Sequence, residues 1–322
     1  MHRRLVMLAL VAGLAVAGCS SSPSSSGDAT REITHAMGTT KIPVTPKRVV
    51  VLDTDKIDTA LTLGVTPVGA AVAGEAKSWP TYFGEDKLSG ITEVGTLQEP
   101  NLEKIASLKP DLILGSKFRQ EKYYDELTAI APTVFTAQVG STWKENFLLD
   151  GDALGHKAEA TAALEAYEKR AKEVGAKLGD PSKIKVSIAR FLPDALRAYG
   201  PTSFSGIVVG DSGLGRPEFQ LLADKEDKRF VAVSAEKLNL LDGDVIFVAA
   251  YGEKAAQQQA TVSAGPLWQG LSAVKAGKAY VVKDEVWMTG IGVTAANKIL
   301  DDLAKGVRTT SAVLAPIAVV FV

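Results

Sequence analysis

Two short segments carry residue types at spacings that could do chemistry. Gly210–Gly215 reads GDSGLG and contains the Gly-Asp-Ser-Gly that surrounds the nucleophile of trypsin-like proteases. Such a serine needs a base within hydrogen-bond reach and oxyanion donors. Leu214 stands where a glycine is required and no histidine has a matching context, so a glycine-rich turn is the better account. Gly290–Ala295 reads GIGVTA and fits the dinucleotide fingerprint G-x-G-x-x-A. That fingerprint also needs a preceding strand, a following helix and an acid in a further strand. The remaining sequence supplies no such strand, and the last apolar run, IAVVFV, carries no acid. A tight turn into a final helix is expected instead, with first-turn N–H groups able to meet an anion.

Other chemistry finds little support. The three histidines, His2, His35 and His156, lie far apart, which argues against a histidine-built metal site. Carboxylates are plentiful, but none is marked out as a pair, so the sequence gives no positive sign of an enzyme. A formal net charge of −1 argues against a nucleic-acid partner.

The N-terminus indicates a compartment. Met1-His2-Arg3-Arg4 is a basic start, and the apolar stretch Leu5–Ala17 has the length of a signal-peptide core. It ends in Val16-Ala17-Gly18-Cys19, which looks like a bacterial lipobox and marks Cys19 for lipidation. Cys19 is the single cysteine, so no intramolecular disulfide can form. The tract SSSPSSSG that follows reads as a flexible tether. The expected segments are a signal peptide (1–18), a lipidated cysteine with its tether (19–31), an N-terminal lobe (32–143), a connecting helical segment (144–180), a C-terminal lobe (181–308) and an apolar tail of unassigned role (309–322). The globular part is expected on the extracytoplasmic face of the cell membrane, held there by its lipid.

The elements that would position any site come in two matching sets. RVVVLD reads as a buried strand and DKIDTALTLG as a helix closed by Gly64; TPVGAAV, DLILGS and PTVFTA are further strands, and YYDELTAIA a further helix. KVSIARF, AEKLNLL, DVIFVAA, WQGLSAVKAG and KAYVVKD repeat much of that order. Laying NLEKIASLKPDLILG over SAEKLNLLDGDVIFVA places Glu103 on Glu236, Lys104 on Lys237, Leu108 on Leu241 and Asp111 on Asp244. Between the halves, His156–Gly179 carries an apolar stripe at Ala160, Leu164, Tyr167, Ala171, Val174 and Leu178, which predicts one long helix stopped by Asp180-Pro181. The fold class expected is α/β: two lobes, each with a mainly parallel central sheet, bridged by one helix that permits rocking rather than wide opening. Ligands of α/β sheets sit beyond the carboxyl ends of the strands. Strand ends nominate Asp53, Thr54, Ser116, Lys117, Arg119, Arg190, Phe191, Tyr251 and the stretch Glu285–Trp287.

Across Arg31–Gly306 the sequence resembles the iron-siderophore-binding lipoproteins of ABC importers, a group that includes cobalamin- and haem-binding relatives. The most specific stretches are RVVVLDTDKIDTALTLGVTPVGAA, GTLQEPNLEKIASLKPDLILGSKFR, ARFLPDALRAYGPTSFSGIVVGDSGLGRPEFQ and LWQGLSAVKAGKAYVV, followed by Trp287. The resemblance implies two lobes bridged by a helix and a cleft between them. It implies that Glu103 and Glu236 dock against arginines of a paired permease, although both could simply be first-turn acids that satisfy a helix dipole. It also implies Arg119, Arg190 and Arg197 in the cleft, whose planar forks can meet paired chelator oxygens. Phe191, Tyr199 and Trp287 would line it too, beside Tyr251 nominated by its strand end, while Trp268 reads as core. Alternatives stand for two of these: Arg197 as a partner of Asp194, and Phe191 as core.

The expected protein is therefore a monomeric, lipid-anchored binding protein with no cofactor of its own. It would capture a ferric siderophore, with the iron held by the chelator, and deliver it to an ABC permease dimer. The RFLP…RAYGPTSFSG segment is similar to binders of hydroxamate or mixed-type chelators. Rival readings keep the fold with haem or cobalamin as cargo, or make the lobes an envelope enzyme or an adhesion or signalling module.

Overall fold

A computed structural model describes residues 29–74 and 78–308 of the chain. Cys19, the tether and the tail 309–322 lie outside the described residues. The strands are β1 (Thr30–His35), β2 (Gly38–Pro43), β3 (Val49–Val51), β4 (Gly69–Val72), β5 (Thr92–Thr96), β6 (Leu112–Ser116) and β7 (Thr133–Thr136) in the first half. In the second half they are β8 (Val186–Leu192), β9 (Ala195–Tyr199), β10 (Phe230–Ala232), β11 (Val245–Ala250) and β12 (Ala279–Val281). β1 and β2 form an antiparallel hairpin, an element the periodicity of the sequence did not announce.

Each lobe holds a five-stranded sheet, β5-β4-β3-β6-β7 in the first and β10-β9-β8-β11-β12 in the second. β3 and β8 occupy the same central place, as do β6 and β11 beside them. The first sheet is parallel throughout. Its central strand, Val49–Val51, is wholly buried, as expected of a strand covered on both faces. The second sheet departs from that pattern, because the β8–β9 turn is short and sends β9 back antiparallel. β10 then pairs antiparallel with β9. The β8–β9 hairpin is the strand-turn-strand segment ARFLPDALRAYG.

The duplicated unit shows how alike the lobes are. Asp111 takes the backbone N–H groups of Lys47 and Arg48 at 2.7 and 2.9 Å, and Asp244 takes that of Lys185 at 2.7 Å. The same acid thus ties the entry of the central strand to its neighbour in both lobes. The helix before it differs: Leu102–Ser107 is an α-helix whose Asn101 side chain caps the Lys104 N–H at 2.9 Å. Ala235–Leu241, expected to be its helical counterpart, is a 3-10 turn kinked at Lys237, and Ser234 makes no side-chain cap. Without the capping bond the first turn lacks the support its counterpart has.

The connecting segment contains two helices, Trp143–Ala153 and Lys157–Ala176. The longer one buries Ala160, Leu164, Tyr167, Ala171 and Val174, the stripe read from the sequence. Tyr167 hydrogen-bonds Asp211 at 2.7 Å and packs edge-on to Trp143, which also meets Phe204. A single apolar cluster therefore runs from the connecting helices into the second lobe.

A second crossing joins the lobes, and it explains GIGVTA. Asp58, on the first-lobe helix Thr54–Thr62, is buried and points at the start of the last helix, Val293–Arg308. Its Oδ1 accepts from Thr294 N at 3.1 Å and its Oδ2 from Ala295 N at 3.2 Å. Tyr82 and Thr62 donate their hydroxyls to the same carboxylate at 2.7 and 3.1 Å. Gly292 has φ +149°, and a Cβ there would collide with Asp58 Oδ1. The anion met by this helix N-terminus is thus a side chain of the other lobe. GDSGLG is the end of the helix Phe204–Asp211 followed by the expected turn: Gly213 takes φ +72° and Ser212 Oγ donates to Val208 O at 3.2 Å.

Candidate ligand site between the lobes

The carboxyl ends of β3, β6, β8 and β11 face one cavity of about 400 Å³. That lies within the range of small-molecule sites. Thr54, Gln98 and Arg119 line it from the first lobe, and Arg190, Tyr251 and Thr289 from the second.

Arg119 follows directly from the exit of β6. Its Nε donates to Asp53 Oδ2 at 2.8 Å, and Ser116 Oγ reaches the same oxygen at 3.0 Å. Burial pushes the Asp53 carboxyl up, while Arg119 pulls it back down. Gln120 fixes the turn from below, taking Ser116 N at 2.9 Å and donating to Leu52 O at 3.1 Å. Beneath this floor lies Lys56, fully buried, with Nζ at 3.0 Å from Asp55, 2.8 Å from Asp150 and 2.8 Å from Thr136 Oγ1. Burial opposes the Lys56 charge, but Asp150 and Asp55 outweigh it and hold the ammonium above its ordinary value. The same burial pushes the Asp150 carboxyl up to about 7.

Arg190 is the second lobe's counterpart. Its Nε and Nη2 hold Asp284 at 2.6 and 2.8 Å, and Nη1 reaches Tyr199 Oη at 3.2 Å. The guanidinium lies 4.8 Å from the Tyr251 ring centroid. Burial disfavours the Arg190 charge, yet Asp284 keeps its pKa raised. Burial pushes Asp284 up in turn, against Arg190.

The structure brings Arg119, Arg190 and Tyr251 together and moves other nominated residues away. Phe191 is fully buried on the opposite face of its sheet, 6.4 Å from the Trp268 ring. Successive residues of a strand point to opposite faces, so Arg190 and Phe191 cannot share the cleft. Trp268 is core, as read. Trp287 is also core rather than cleft: its ring stacks on Phe247 at 4.5 Å and its indole N–H donates to Asp302 at 2.8 Å. Tyr199 is buried beneath Arg190 rather than lining the cavity. Arg197 stands opposite Arg190 in the β8–β9 register, with its guanidinium 4.1 Å from the Phe230 centroid. It does not pair with Asp194, which is held by Lys254 at 2.7 Å.

Several lining residues escaped the sequence reading. Leu97 and Gln98 follow β5, and Met288, Thr289 and Ile291 follow the β12 exit. Strand-end reasoning carried a few residues further would have found both groups. Asp284, which fixes Arg190, gave no local signal, because the two are far apart in sequence. Phe118, beside Arg119, is half exposed, and Arg229 of the other lobe lies 5.8 Å from its centroid.

Glu103 and Glu236 are exposed, each on its own lobe, and neither forms an ion pair among the described residues. The Glu236 carboxyl is held below its usual range, first by its own backbone N–H and then by Ser234. Among the described residues no helix is long and apolar enough to cross a membrane.

Two α/β lobes, a helix between them and a polar cavity at their facing strand ends define a solute-binding protein of the single-helix-bridged class. The chain belongs to the periplasmic binding protein family, whose model matches residues 49–286. It is 40% identical to the probable siderophore-binding lipoprotein YfiY of Bacillus subtilis over 94% of this chain and 97% of that protein. It is 30% identical to the Fe(3+)-citrate-binding protein YfmC of the same organism, over 94% and 96% of the two chains. Its fold matches Staphylococcus aureus SirA, solved with staphyloferrin B, at a TM-score of 0.77 and 34% identity, covering 87% of this chain and 99% of SirA.

Proposed function

We propose that this protein captures a ferric siderophore in the interlobe cavity and delivers it to an ABC permease for iron uptake. The observation that carries the proposal is one cavity walled by a guanidinium from each lobe, Arg119 and Arg190, in a relative of siderophore-binding proteins. The iron arrives held by its chelator, so the protein needs no metal ligands or cofactor. Paired arginine donors and the Tyr251 ring suit chelator oxygens and apolar arms. No catalytic step is assigned.

The permease side of the proposal rests on Glu103 and Glu236. Two exposed, unpaired carboxylates in equivalent places on two similar lobes suit a dimeric partner with matching cations, giving orientation more than raw affinity. Cys19 carries the lipid that keeps the monomeric protein on the extracytoplasmic face of the membrane. The sequence similarity of the β8–β9 segment favours a hydroxamate or mixed-type chelator. Equilibrium dialysis against radiolabelled iron tests the proposal. Iron retained only when a siderophore is present supports it; retention of chelator-free iron, or of none, contradicts it.

A further inference from the structure

Two polar crossings join the lobes beside the last helix, and they differ in kind. The Asp58 carboxylate is wholly buried, so its bonds to that helix cannot be exchanged for water without cost. The other crossing lies at the surface. The first-lobe turn Thr81–Phe83, between β4 and β5, reaches the second lobe at Glu285. Thr81 N–H donates to Glu285 Oε2 at 2.7 Å, and the Thr81 hydroxyl donates to Oε1 at 2.6 Å. Thr81 is exposed and the Glu285 side chain is 24% exposed, so water can take over both partners when they part. Lys283, 3.6 Å from Oε1, is the cation beside this carboxylate. Each end of the pair is tied to a wall of the cavity. Glu285 follows Asp284, which holds Arg190, and precedes the lining residues Met288 and Thr289. The Thr81 turn comes after Ala73 and Gly74, which line the cavity from the first lobe. A Cβ at Gly290 would strike both Glu285 O and the Tyr82 hydroxyl, so the turn packs directly against this segment.

We infer that Thr81 and Glu285 form an interlobe latch that sets the width of the cavity and the rate at which cargo leaves, with the Asp58 junction as its pivot. The inference rests on the ferric-chelate function proposed above. The walls of the cavity belong to different lobes, so its span changes whenever the lobes rock. With the buried Asp58 contacts kept, the lobes part by giving up the exposed Thr81 bonds. A pair of this strength biases the balance between closed and open cleft without blocking either state. Glu285 does not line the cavity; it is a positioning residue that acts through the placement of the lobes.

Stopped-flow release of ferric hydroxamate, citrate and catecholate complexes from the full-length chain, followed by recovery of tryptophan fluorescence, tests the latch. Glu285→Ala should speed release about fivefold, the scale of one hydrogen bond. Thr81→Val, which keeps the backbone bond, should speed it about threefold or less. The double variant should release no faster than Glu285→Ala, because loss of the carboxylate already breaks both bonds. Glu285→Gln can still accept from the Thr81 N–H and should stay within about twofold of wild type, which separates a latch from a folding defect. Unchanged release in Glu285→Ala, or effects that multiply in the double variant, overturn the latch. Amide hydrogen exchange at Thr81 tests it without cargo: protection in the wild type that is lost in Glu285→Ala is expected, and an unprotected wild-type Thr81 overturns it. Failure of the wild-type chain to bind any of the three complexes overturns the ferric-chelate function, while the exchange experiment still decides on the latch.

Discussion

Replacing Asp58 with alanine should loosen the junction between the lobes. The substitution removes a carboxylate that accepts four hydrogen bonds, two of them from backbone N–H groups of the last helix. Ala295 is fully buried, so its N–H has no ready substitute partner. Each unsatisfied buried donor costs about 1–3 kcal/mol, and relief from burying a charge offsets part of the total, so a loss of about 2–4 kcal/mol is expected at neutral pH. Burial pushes the Asp58 carboxyl up to about 6, above the 3.8 of an unperturbed aspartate. The folded state then binds the proton more tightly than the unfolded state. Stability from this group is therefore fully present below the unfolded value and is lost as pH rises through about 6. The gap between wild type and Asp58→Ala should widen as pH falls from about 6 to about 4, by up to about 3 kcal/mol. Urea denaturation followed by tryptophan fluorescence across that range measures both effects. A loss below about 1 kcal/mol at neutral pH, or a gap that narrows on acidification, would refute the cap.

Three further outcomes are expected. Glu103→Ala with Glu236→Ala should leave chelate affinity near wild type and abolish iron uptake by cells; lost affinity in the double variant would remove the docking role. Arg190→Ala should weaken chelate binding by about 1–3 kcal/mol in a dialysis or calorimetric assay, and unchanged affinity would make Arg190 purely structural. Lys56→Met leaves Asp55 and Asp150 buried without their ammonium and should destabilise the fold by about 3–5 kcal/mol. Thermal melting checks this, and a neutral effect would show that water or protonation compensates.

The duplication and the bridging helix were legible because buried parallel strands and one-sided helices leave strong periodic signals. Asp111 and Asp244 both accept the backbone N–H of the residue that enters the central strand, Arg48 in one lobe and Lys185 in the other. The cleft was legible only in part. Strand-end logic found Arg119, Arg190 and Tyr251, since topology places those positions whatever the side chains do. It misplaced Phe191, where the alternation of a strand should have been applied. Trp287 was misplaced because only the tertiary fold brings Phe247 and Asp302 to it. GIGVTA showed a helix start that welcomes an anion, but not that the anion is Asp58 from the other lobe. Ion pairs such as Arg190–Asp284 join distant segments and leave no local pattern.

Tryptophan fluorescence titration of the purified chain tests the central claim most directly. Trp287 adjoins Met288 and Thr289, which line the cavity, so an iron chromophore seated there lies close enough to quench it. Ferric hydroxamate, citrate and catecholate complexes should be compared with their iron-free chelators, haemin and cobalamin. Saturable quenching by a ferric siderophore, with little from haemin or cobalamin, is the predicted result. Saturation by haemin or cobalamin alone, or quenching by none of them in a folded protein, would contradict the assignment of a ferric siderophore to this cleft.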